Sequence, residues 1–252
     1  MRILFLGDVY GEAGLKALEK FLPEVKSRYP YDVFFINGEN VSEGLGLRKR
    51  DYKRLMEFGA HAVTLGNHSF SKKELLDYIE ESNIVRPLNY PKTTPGKGFI
   101  EINYNNQKIV LIQIMGRIFM GDPLNNPFET LDDVLAGLEA DCIVVDLHAE
   151  ATSEKLAIAH YLDGRVDAVI GTHTHVATND AMRLPKGTYY ITDAGMCGAK
   201  YGILGADRDK VLKRFTTGIP HRLTPEVTNT VQLNGVFIDT EKGAIETINI
   251  SD

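Results

Sequence analysis

The sequence predicts an α/β fold with parallel strands, and three observations support this fold class. Apolar runs alternate with segments of helical spacing through the first part of the chain, which is typical of strand–helix–strand units. Each of these runs is followed by small and polar residues, as at the ligand-binding ends of strands in open α/β sheets. The chain of 252 residues is 43% hydrophobic and 25% charged, which is ordinary for a globular protein and excludes a disordered or fibrous chain.

The elements of the first part of the chain follow from hydrophobic periodicity. Strands are predicted over 3–6, 33–36 and 62–65, and helices over 13–28, 49–58 and 71–81. The run from Ile3 to Leu6 is continuously apolar, as in a strand that is buried on both faces. The first helix carries Leu15, Leu18 and Leu22 at helical intervals. This order of elements indicates a parallel sheet covered by helices.

The rest of the chain adds strands, two helices and two long loops. Residues 86–98 and 117–130 are rich in proline and glycine and are predicted as loops, which at this length are usually functional. A hairpin is predicted from strands 99–103 and 108–114 around Asn105 and Asn106. Helices are predicted over 130–139 and 153–162, and strands over 142–147, 166–170, 188–192, 231–238 and 244–250. No linker divides the chain, so we expect a single domain over residues 1–252.

The charge and the cysteine content limit the kinds of partner and the cellular location that we expect. The formal net charge of −6 argues against a broad nucleic-acid or membrane surface, because such surfaces need an excess of basic residues. Two cysteines, Cys142 and Cys197, cannot form a disulfide framework. The first apolar run is too short for a signal peptide, and no run has the length of a membrane-spanning helix. We therefore expect a cytoplasmic protein with no membrane partner.

Side chains that can bind metals follow five separate apolar runs. They are Asp8, then Glu39 with Asn40, then Asn67 with His68, then His148, and finally His173 with His175. A parallel sheet would bring these strand ends to one edge and gather the side chains in one crevice. Carboxylate, carboxamide and imidazole ligands together suit Mn, Fe, Zn or Ni better than Ca or Mg. Their number indicates two metal ions that share one carboxylate, the arrangement used for in-line displacement at phosphorus.

Each of these motifs also has a structural explanation when it is taken alone. Asp8 after Gly7 is typical of a turn, and Asn40 could cap a helix. His148 could be a core histidine with its hydrogen bonds satisfied. In a strand, His173 and His175 would point to the same side, and two imidazoles on one side favour a metal. The coincidence of five polar strand ends favours a metal centre over these separate explanations.

The motifs resemble those of the calcineurin-like metallophosphoesterases. They are Gly7-Asp8, Gly38-Glu39-Asn40, Gly66-Asn67-His68, His148 and Gly171-Thr172-His173-Thr174-His175. More closely, the chain resembles the YmdB family of bacterial cyclic-nucleotide phosphodiesterases, which it also matches at 86–91, 116–120, 146–155, 187–196 and 214–215. The resemblance runs in order from about residue 1 to about residue 240. It implies a four-layer α/β/β/α sandwich of two mixed sheets with a di-metal centre at the strand ends.

The resemblance also implies a role for each motif residue. It places Asp8, Glu39, Asn40 and His175 on one metal ion, and Glu39, Asn67, His148 and His173 on the other. Glu39 would bridge the two ions, and His68 would be the acid that protonates the leaving oxygen. Iron is the common metal of the family, although the ligand set also fits manganese and zinc.

Two positions depart from the wider superfamily, and one loop departs from the narrower family. Tyr10 stands where the superfamily has a histidine ligand, and Glu39 stands where it has a bridging aspartate. Both departures are shared with the YmdB-like group, and Asn40 could fill the gap that Tyr10 leaves. The loop 197–205 differs from the family pattern. Cys197 in that loop is expected to be a bystander, because nothing near it in the sequence marks a reactive thiol.

The leading hypothesis is hydrolysis of 2′,3′-cyclic or 3′,5′-cyclic nucleotides by a metal-bound hydroxide, with His68 as general acid. Arg117 is a weak candidate for binding the substrate phosphate, with a solvated surface arginine as the alternative. His61, His160 and His221 match no motif and are expected to be structural or on the surface. Two hypotheses compete with the leading one. The chain could be a phosphatase of broader substrate range, or a regulatory protein that binds metal and nucleotide with incidental catalysis. The family tendency implies a homo-oligomer, either a dimer or a tetramer.

Overall fold

The computed structural model describes residues 1–121 and 123–252, and Asp122, within the loop predicted over 117–130, lies outside the described residues. In chain order the strands are β1 (Arg2–Leu6), β2 (Asp8–Val9), β3 (Val33–Asn37), β4 (Ala62–Thr64), β5 (Ile84–Val85), β6 (Phe99–Tyr104), β7 (Gln107–Met115), β8 (Cys142–His148), β9 (Ala168–Thr172), β10 (Met182–Arg183), β11 (Tyr189–Ile191), β12 (Met196–Ala199), β13 (Val231–Asp239) and β14 (Ala244–Ser251). The α-helices are α1 (Gly11–Arg28), α2 (Lys49–Glu57), α3 (Pro127–Leu135), α4 (Thr152–Leu162) and α5 (Arg208–Thr217).

The strands form two mixed sheets rather than one parallel sheet. The larger sheet has the spatial order β2-β12-β13-β1-β3-β4-β5, with β14 paired to β13. In it, β1, β3, β4 and β5 run parallel, while β13 is antiparallel to β1. The smaller sheet has the order β10-β11-β9-β8-β7-β6, in which both edge strands are antiparallel to their neighbours. Two mixed sheets are what the family resemblance implied.

Alternate residues of the strands pack on opposite faces, which gives the molecule its layers. In the larger sheet, Leu4 packs with Leu18 of α1, whereas Phe5 packs towards the smaller sheet against residues such as Val144. On the far side of the smaller sheet, Val145 packs with the helix that carries Ile158. The result is the predicted four-layer α/β/β/α sandwich, and the continuous apolar runs are explained by strands that are buried on both faces.

Most of the predicted elements are present, and the Asn105-Asn106 turn has the two positive φ angles, 48° and 62°, of a type I′ hairpin. The helix predicted over 71–81 is wrong, because only a 3-10 helix at Lys73–Asp77 forms there. The tighter helix places Leu75 and Tyr78 in the core, and Tyr78 donates a hydrogen bond of 2.8 Å to the carbonyl oxygen of Leu47. Within the described ranges, no helix has the length and apolar character that crossing a membrane would require.

The helix α5 was not predicted, because hydrophobic periodicity gives almost no signal for it. Val211 is its one buried residue. Its ends are nevertheless marked in the sequence. The side chain of Asp207 accepts a hydrogen bond from the backbone N–H of Lys210, and Gly218 ends the helix with a φ of 69°. The capping residues were therefore the signal that could have located this helix.

Candidate metal centre

The strand ends of both sheets meet at one crevice. Asp8 begins β2, Glu39 and Asn40 follow β3, Asn67 and His68 follow β4, His148 ends β8, and His173 and His175 follow β9. The first three of these strands belong to the larger sheet, and the last two belong to the smaller one. The expectation that a single parallel sheet would gather these side chains is therefore wrong. The residues do come together, but between two facing sheets whose strand ends share one side of the sandwich.

Three other candidate ligand atoms lie close to the Nε2 atom of His148. This atom lies 3.1 Å from Oε1 of Glu39, 2.9 Å from Oδ1 of Asn67 and 3.1 Å from Nδ1 of His173. The ligand atoms of the two histidines and the glutamate all lie within 4.8 Å of one another. A single imidazole N–H cannot satisfy three acceptors, so the geometry of this cluster suits a bound cation.

The hydrogen bonds behind His148 orient its ring towards this cluster. Nδ1 of His148 lies 2.9 Å from Oγ1 of Thr172, and that hydroxyl donates its own proton to Oδ1 of Asp146 at 2.6 Å. Nδ1 must therefore be the donor in the contact with Thr172, which assigns the proton of a neutral ring to Nδ1. The lone pair of Nε2 is then available for a metal, as for histidine ligands that donate their other N–H to a neighbouring group.

A second group of donors surrounds Asp8, which is completely buried. Nε2 of His175 lies 3.7 Å from Oδ1 of Asp8, and Nδ1 of His175 lies 2.9 Å from the carbonyl oxygen of Leu204. The Asn40 amide donates to the carbonyl oxygen of Gly44 at 3.0 Å. These contacts leave Nε2 of His175 and Oδ1 of Asn40 free to bind a cation.

Two buried oxygens at this second group have no hydrogen-bond partner among the described residues. They are Oδ1 of Asp8 and Oδ1 of Asn40. An unsatisfied buried acceptor costs about 1–3 kcal/mol, and more when it is charged, so such atoms call for a functional explanation. A metal ion would satisfy both of them. The residues that are present thus fit the metal centre that the family resemblance implies.

The loop after β9 turns sharply to place its two histidines. His173 has a φ of 101° and His175 a φ of 66°, both in the left-handed region that non-glycine residues seldom adopt. The expectation that they share one side of a strand is therefore wrong, since β9 ends at Thr172. The turn instead directs His173 towards His148 and His175 towards Asp8, one to each group of donors.

Glu39 contacts both the His148 ring and the backbone of His68. Its Oε1 faces His148, while its Oε2 accepts a hydrogen bond of 2.9 Å from the backbone N–H of His68. Burial opposes the charge on Glu39, but the charge of His148 and its hydrogen bond outweigh burial and lower the pKa of Glu39 to about 2. Burial also opposes a positive charge on His148, yet Glu39 and Asp8 raise the pKa of His148 to about 9. Glu39 and His148 therefore stabilise each other's charged form.

Gly66 shows how closely the site is packed. A Cβ atom at this position would lie 2.4 Å from Nε2 of His148 and 2.5 Å from Oε2 of Glu39. No side chain fits there without displacing these two residues. The glycine before Asn67 is thus required by the close approach of the backbone to the centre.

His68 lies at the edge of the centre rather than inside it. Its side chain is half-buried and, together with Glu39 and His173, lines a cavity of about 930 Å³. Its Nε2 lies 3.3 Å from the Nδ2 atom of Asn67. This position, beside the ligands and open to a substrate, is compatible with the predicted role of general acid.

Part of the cavity wall is formed by residues that were not assigned to the site from the sequence. They are Arg214 and Phe215 of α5, and His221 and Arg222 in the segment that follows this helix. His221 was expected to be structural or on the surface, whereas it lines this cavity. Arg117, the weak candidate for phosphate binding, is exposed and is not among the described residues that line the cavity.

A sandwich of two mixed sheets, with carboxylate, carboxamide and imidazole donors at its strand ends, defines the metallophosphoesterase class of fold. The chain belongs to the YmdB-like protein family, whose sequence profile matches residues 4–252.

Three relatives illustrate this membership. A protein of Bacillus subtilis strain 168 named 2′,3′-cyclic-nucleotide 2′-phosphodiesterase is 46% identical, over 100% of this chain and 98% of its own length. A crystal structure of a hypothetical protein from Thermus thermophilus is 46% identical, with a TM-score of 0.95 over 100% of both chains. A structure described as a novel phosphatase, from Mycoplasma pneumoniae, is 35% identical, with a TM-score of 0.92 over 100% of this chain and 93% of the other.

Proposed function

We propose that this chain is a metal-dependent phosphodiesterase that hydrolyses 2′,3′-cyclic nucleotides. Family membership and the name of the Bacillus subtilis relative support an enzyme that hydrolyses phosphodiesters. Metal dependence is supported above all by one observation, the convergence of Glu39, Asn67 and His173 on Nε2 of His148. Two unsatisfied oxygens of the neighbouring group, on Asp8 and Asn40, support a second metal position.

The proposed metal ligands divide between two positions that share Glu39. Glu39, Asn67, His148 and His173 would hold one ion, and Asp8, Glu39, Asn40 and His175 would hold the other. When bound, such ions neutralise phosphate oxygens and lower the pKa of a water molecule towards neutrality. We propose iron as the native metal from the family resemblance, with manganese and zinc as ions that the same ligands could bind.

The residues of the chain would act on the leaving group. A water oxygen forms the new bond to phosphorus and releases one proton to the solvent, and the bond between phosphorus and O2′ breaks. His68 in its protonated form donates a proton to O2′, which departs as a hydroxyl and leaves a 3′-phosphate. Asn67, 3.3 Å from the His68 ring, would help to fix the position of that ring. General acid catalysis of this kind typically contributes about 100- to 10,000-fold.

Turnover of 2′,3′-cyclic AMP by anaerobically purified protein tests this function directly. We expect bound metal and a product identified by chromatography as adenosine 3′-phosphate. Parallel assays with 3′,5′-cyclic AMP determine whether the second type of ring is also opened. Absence of both metal and turnover would overturn the proposal.

Replacing Glu39 tests the proposal that this residue bridges the two metal positions. We expect Glu39→Gln to lose bound metal from both positions, because the neutral amide cannot balance the charge of two cations. Metal content by mass spectrometry of the purified variant is the measurement. Glu139→Gln is the matched control, since Glu139 is exposed and is not among the residues that line the cavity. Two ions still bound to the Glu39 variant would contradict the bridging role.

A further inference from the structure

The part of the cavity wall formed by α5 and the segment after it is basic in an acidic chain. Residues 208–225, which comprise α5 and the segment after it, contain five basic residues and one acidic residue, whereas the whole chain has a net charge of −6. Arg208 pairs with Asp209, and Lys210 pairs with Asp207. The remaining basic residues, Lys213, Arg214 and Arg222, have no ion-pair partner within the part of the chain that the structure describes. Two of them, Arg214 and Arg222, line the cavity.

Exposed apolar side chains lie among these charges. Phe215 is 79% exposed and lines the same cavity as the two unpaired arginines. Leu204, which lines the same cavity, is 50% exposed, and Ile219 in the segment after α5 is 57% exposed. Unpaired basic groups beside an exposed aromatic ring are the combination that binds single-stranded nucleic acids, because the ring stacks on bases while the cations contact phosphates.

The cavity is also large for a small-molecule site. Its volume of about 930 Å³ lies near the upper end of the range of about 300–1,000 Å³ that is typical of small-molecule sites. Candidate metal ligands such as Glu39, together with His68, line the same cavity as Phe215 and Arg222. A substrate whose terminal phosphate lies at the metal centre could therefore continue across the cavity to α5.

We propose that the substrate class of this site is single-stranded RNA that ends in a 2′,3′-cyclic phosphate. This inference rests on the proposed function, since the terminal ring would be opened by the same reaction, with water added and O2′ protonated to leave a 3′-phosphate end. The nucleotides before the terminal one lie along α5, where a base stacks on Phe215 and phosphates contact Arg214 and Arg222. The net charge of −6 still argues against a broad nucleic-acid surface over the rest of the chain.

The test compares kcat/KM of the metal-loaded, full-length enzyme for two substrates, a tetraribonucleotide with a 2′,3′-cyclic phosphate end and 2′,3′-cyclic AMP. We expect the oligonucleotide to be preferred by about 5- to 150-fold, the equivalent of the 1–3 kcal/mol that one base–aromatic stack contributes. Phe215→Ala and Arg214→Gln should lower this preference at least about fivefold. Rising salt should lower kcat/KM for the oligonucleotide more steeply than for the mononucleotide.

Two neighbouring residues on the same helix provide matched controls. Lys213→Gln removes the same charge as Arg214→Gln, and Leu212→Ala truncates an exposed apolar side chain as Phe215→Ala does, but neither Lys213 nor Leu212 lines the cavity. Both control variants should keep the wild-type preference. If the Lys213 variant loses as much preference for the oligonucleotide as the Arg214 variant does, the proposed path of the RNA along α5 is wrong.

The remaining outcomes separate failure of this inference from failure of the proposed function. Hydrolysis of 2′,3′-cyclic AMP without preference for the oligonucleotide overturns the inference alone. Lack of turnover of both substrates overturns the proposed function and the inference with it. If Phe215→Ala instead changes the oligomeric state in sedimentation experiments and leaves the preference intact, the wall is an interface between two copies of the chain, and the inference is wrong.

Discussion

Replacing His68 by alanine is expected to lower kcat for 2′,3′-cyclic AMP about 100- to 10,000-fold while the bound metal content stays the same. The imidazole lies outside the cluster at His148, and its loss removes no ligand atom. The contact to Glu39 is made by the backbone N–H of residue 68, which alanine retains. The variant should therefore bind metal and substrate and fail at protonation of the leaving oxygen.

Steady-state kinetics and metal analysis of the same preparation check this result. His160→Ala is the control, because His160 is an exposed histidine on α4 and should leave both quantities unchanged. A substrate with a more acidic leaving group, such as a p-nitrophenyl phosphodiester, should be much less affected by His68→Ala, since its leaving oxygen needs no proton. Full activity of the alanine variant on the cyclic nucleotide would exclude the role of general acid.

The second large effect is expected for Lys155→Met, which should lower the free energy of unfolding by about 3–5 kcal/mol. Lys155 is completely buried, and its ammonium donates to Oδ2 of Asp193 at 2.8 Å and to the carbonyl oxygen of Thr172 at 2.7 Å. Asp193 also accepts hydrogen bonds from the backbone and hydroxyl of Thr174. The substitution leaves the carboxylate of Asp193 buried without its partner, and it releases the loop that carries His173 and His175.

Urea denaturation measures the loss of stability. Lys53→Met, at an exposed position on α2, should change the free energy of unfolding by less than about 0.5 kcal/mol. The double variant Lys155→Met with Asp193→Asn should recover part of the loss, because no buried charge then remains unpaired. If the single variant at Lys155 is as stable as the wild type, the pair is not what holds this loop in place.

The sequence by itself determined where the strands end and which side chains stand at those ends. Local periodicity was sufficient for this, because a strand that is buried on both faces must be apolar along its length, as the run from Ile3 to Leu6 is. A side chain that can bind a metal directly after such a run is then conspicuous, as Asp8 and His148 are. The family motifs extended this to the four-layer sandwich, which the structure confirms.

Only the tertiary structure decided that the strand ends belong to two facing sheets. Periodicity indicates whether a residue is buried, but it does not show which two strands pair with each other. The pairing of β1 with β13 joins residues more than two hundred positions apart, as Arg2 and Asp239 show. The contact of Glu39 with His148 is likewise made across the two sheets, so no local pattern could predict it.

The tertiary structure also decided the conformation of the loops that complete the site. The left-handed backbone at His173 and His175 is held by contacts such as that of Asp193 with Thr174, which a local pattern cannot reveal. Helix α5, with Phe215 and Arg214, has one buried residue, and its place beside the cavity depends on packing. The candidate site residues at the ends of buried strands were therefore predictable from the sequence. The wall that would select the substrate was not, because a largely exposed helix leaves no periodic hydrophobic signal.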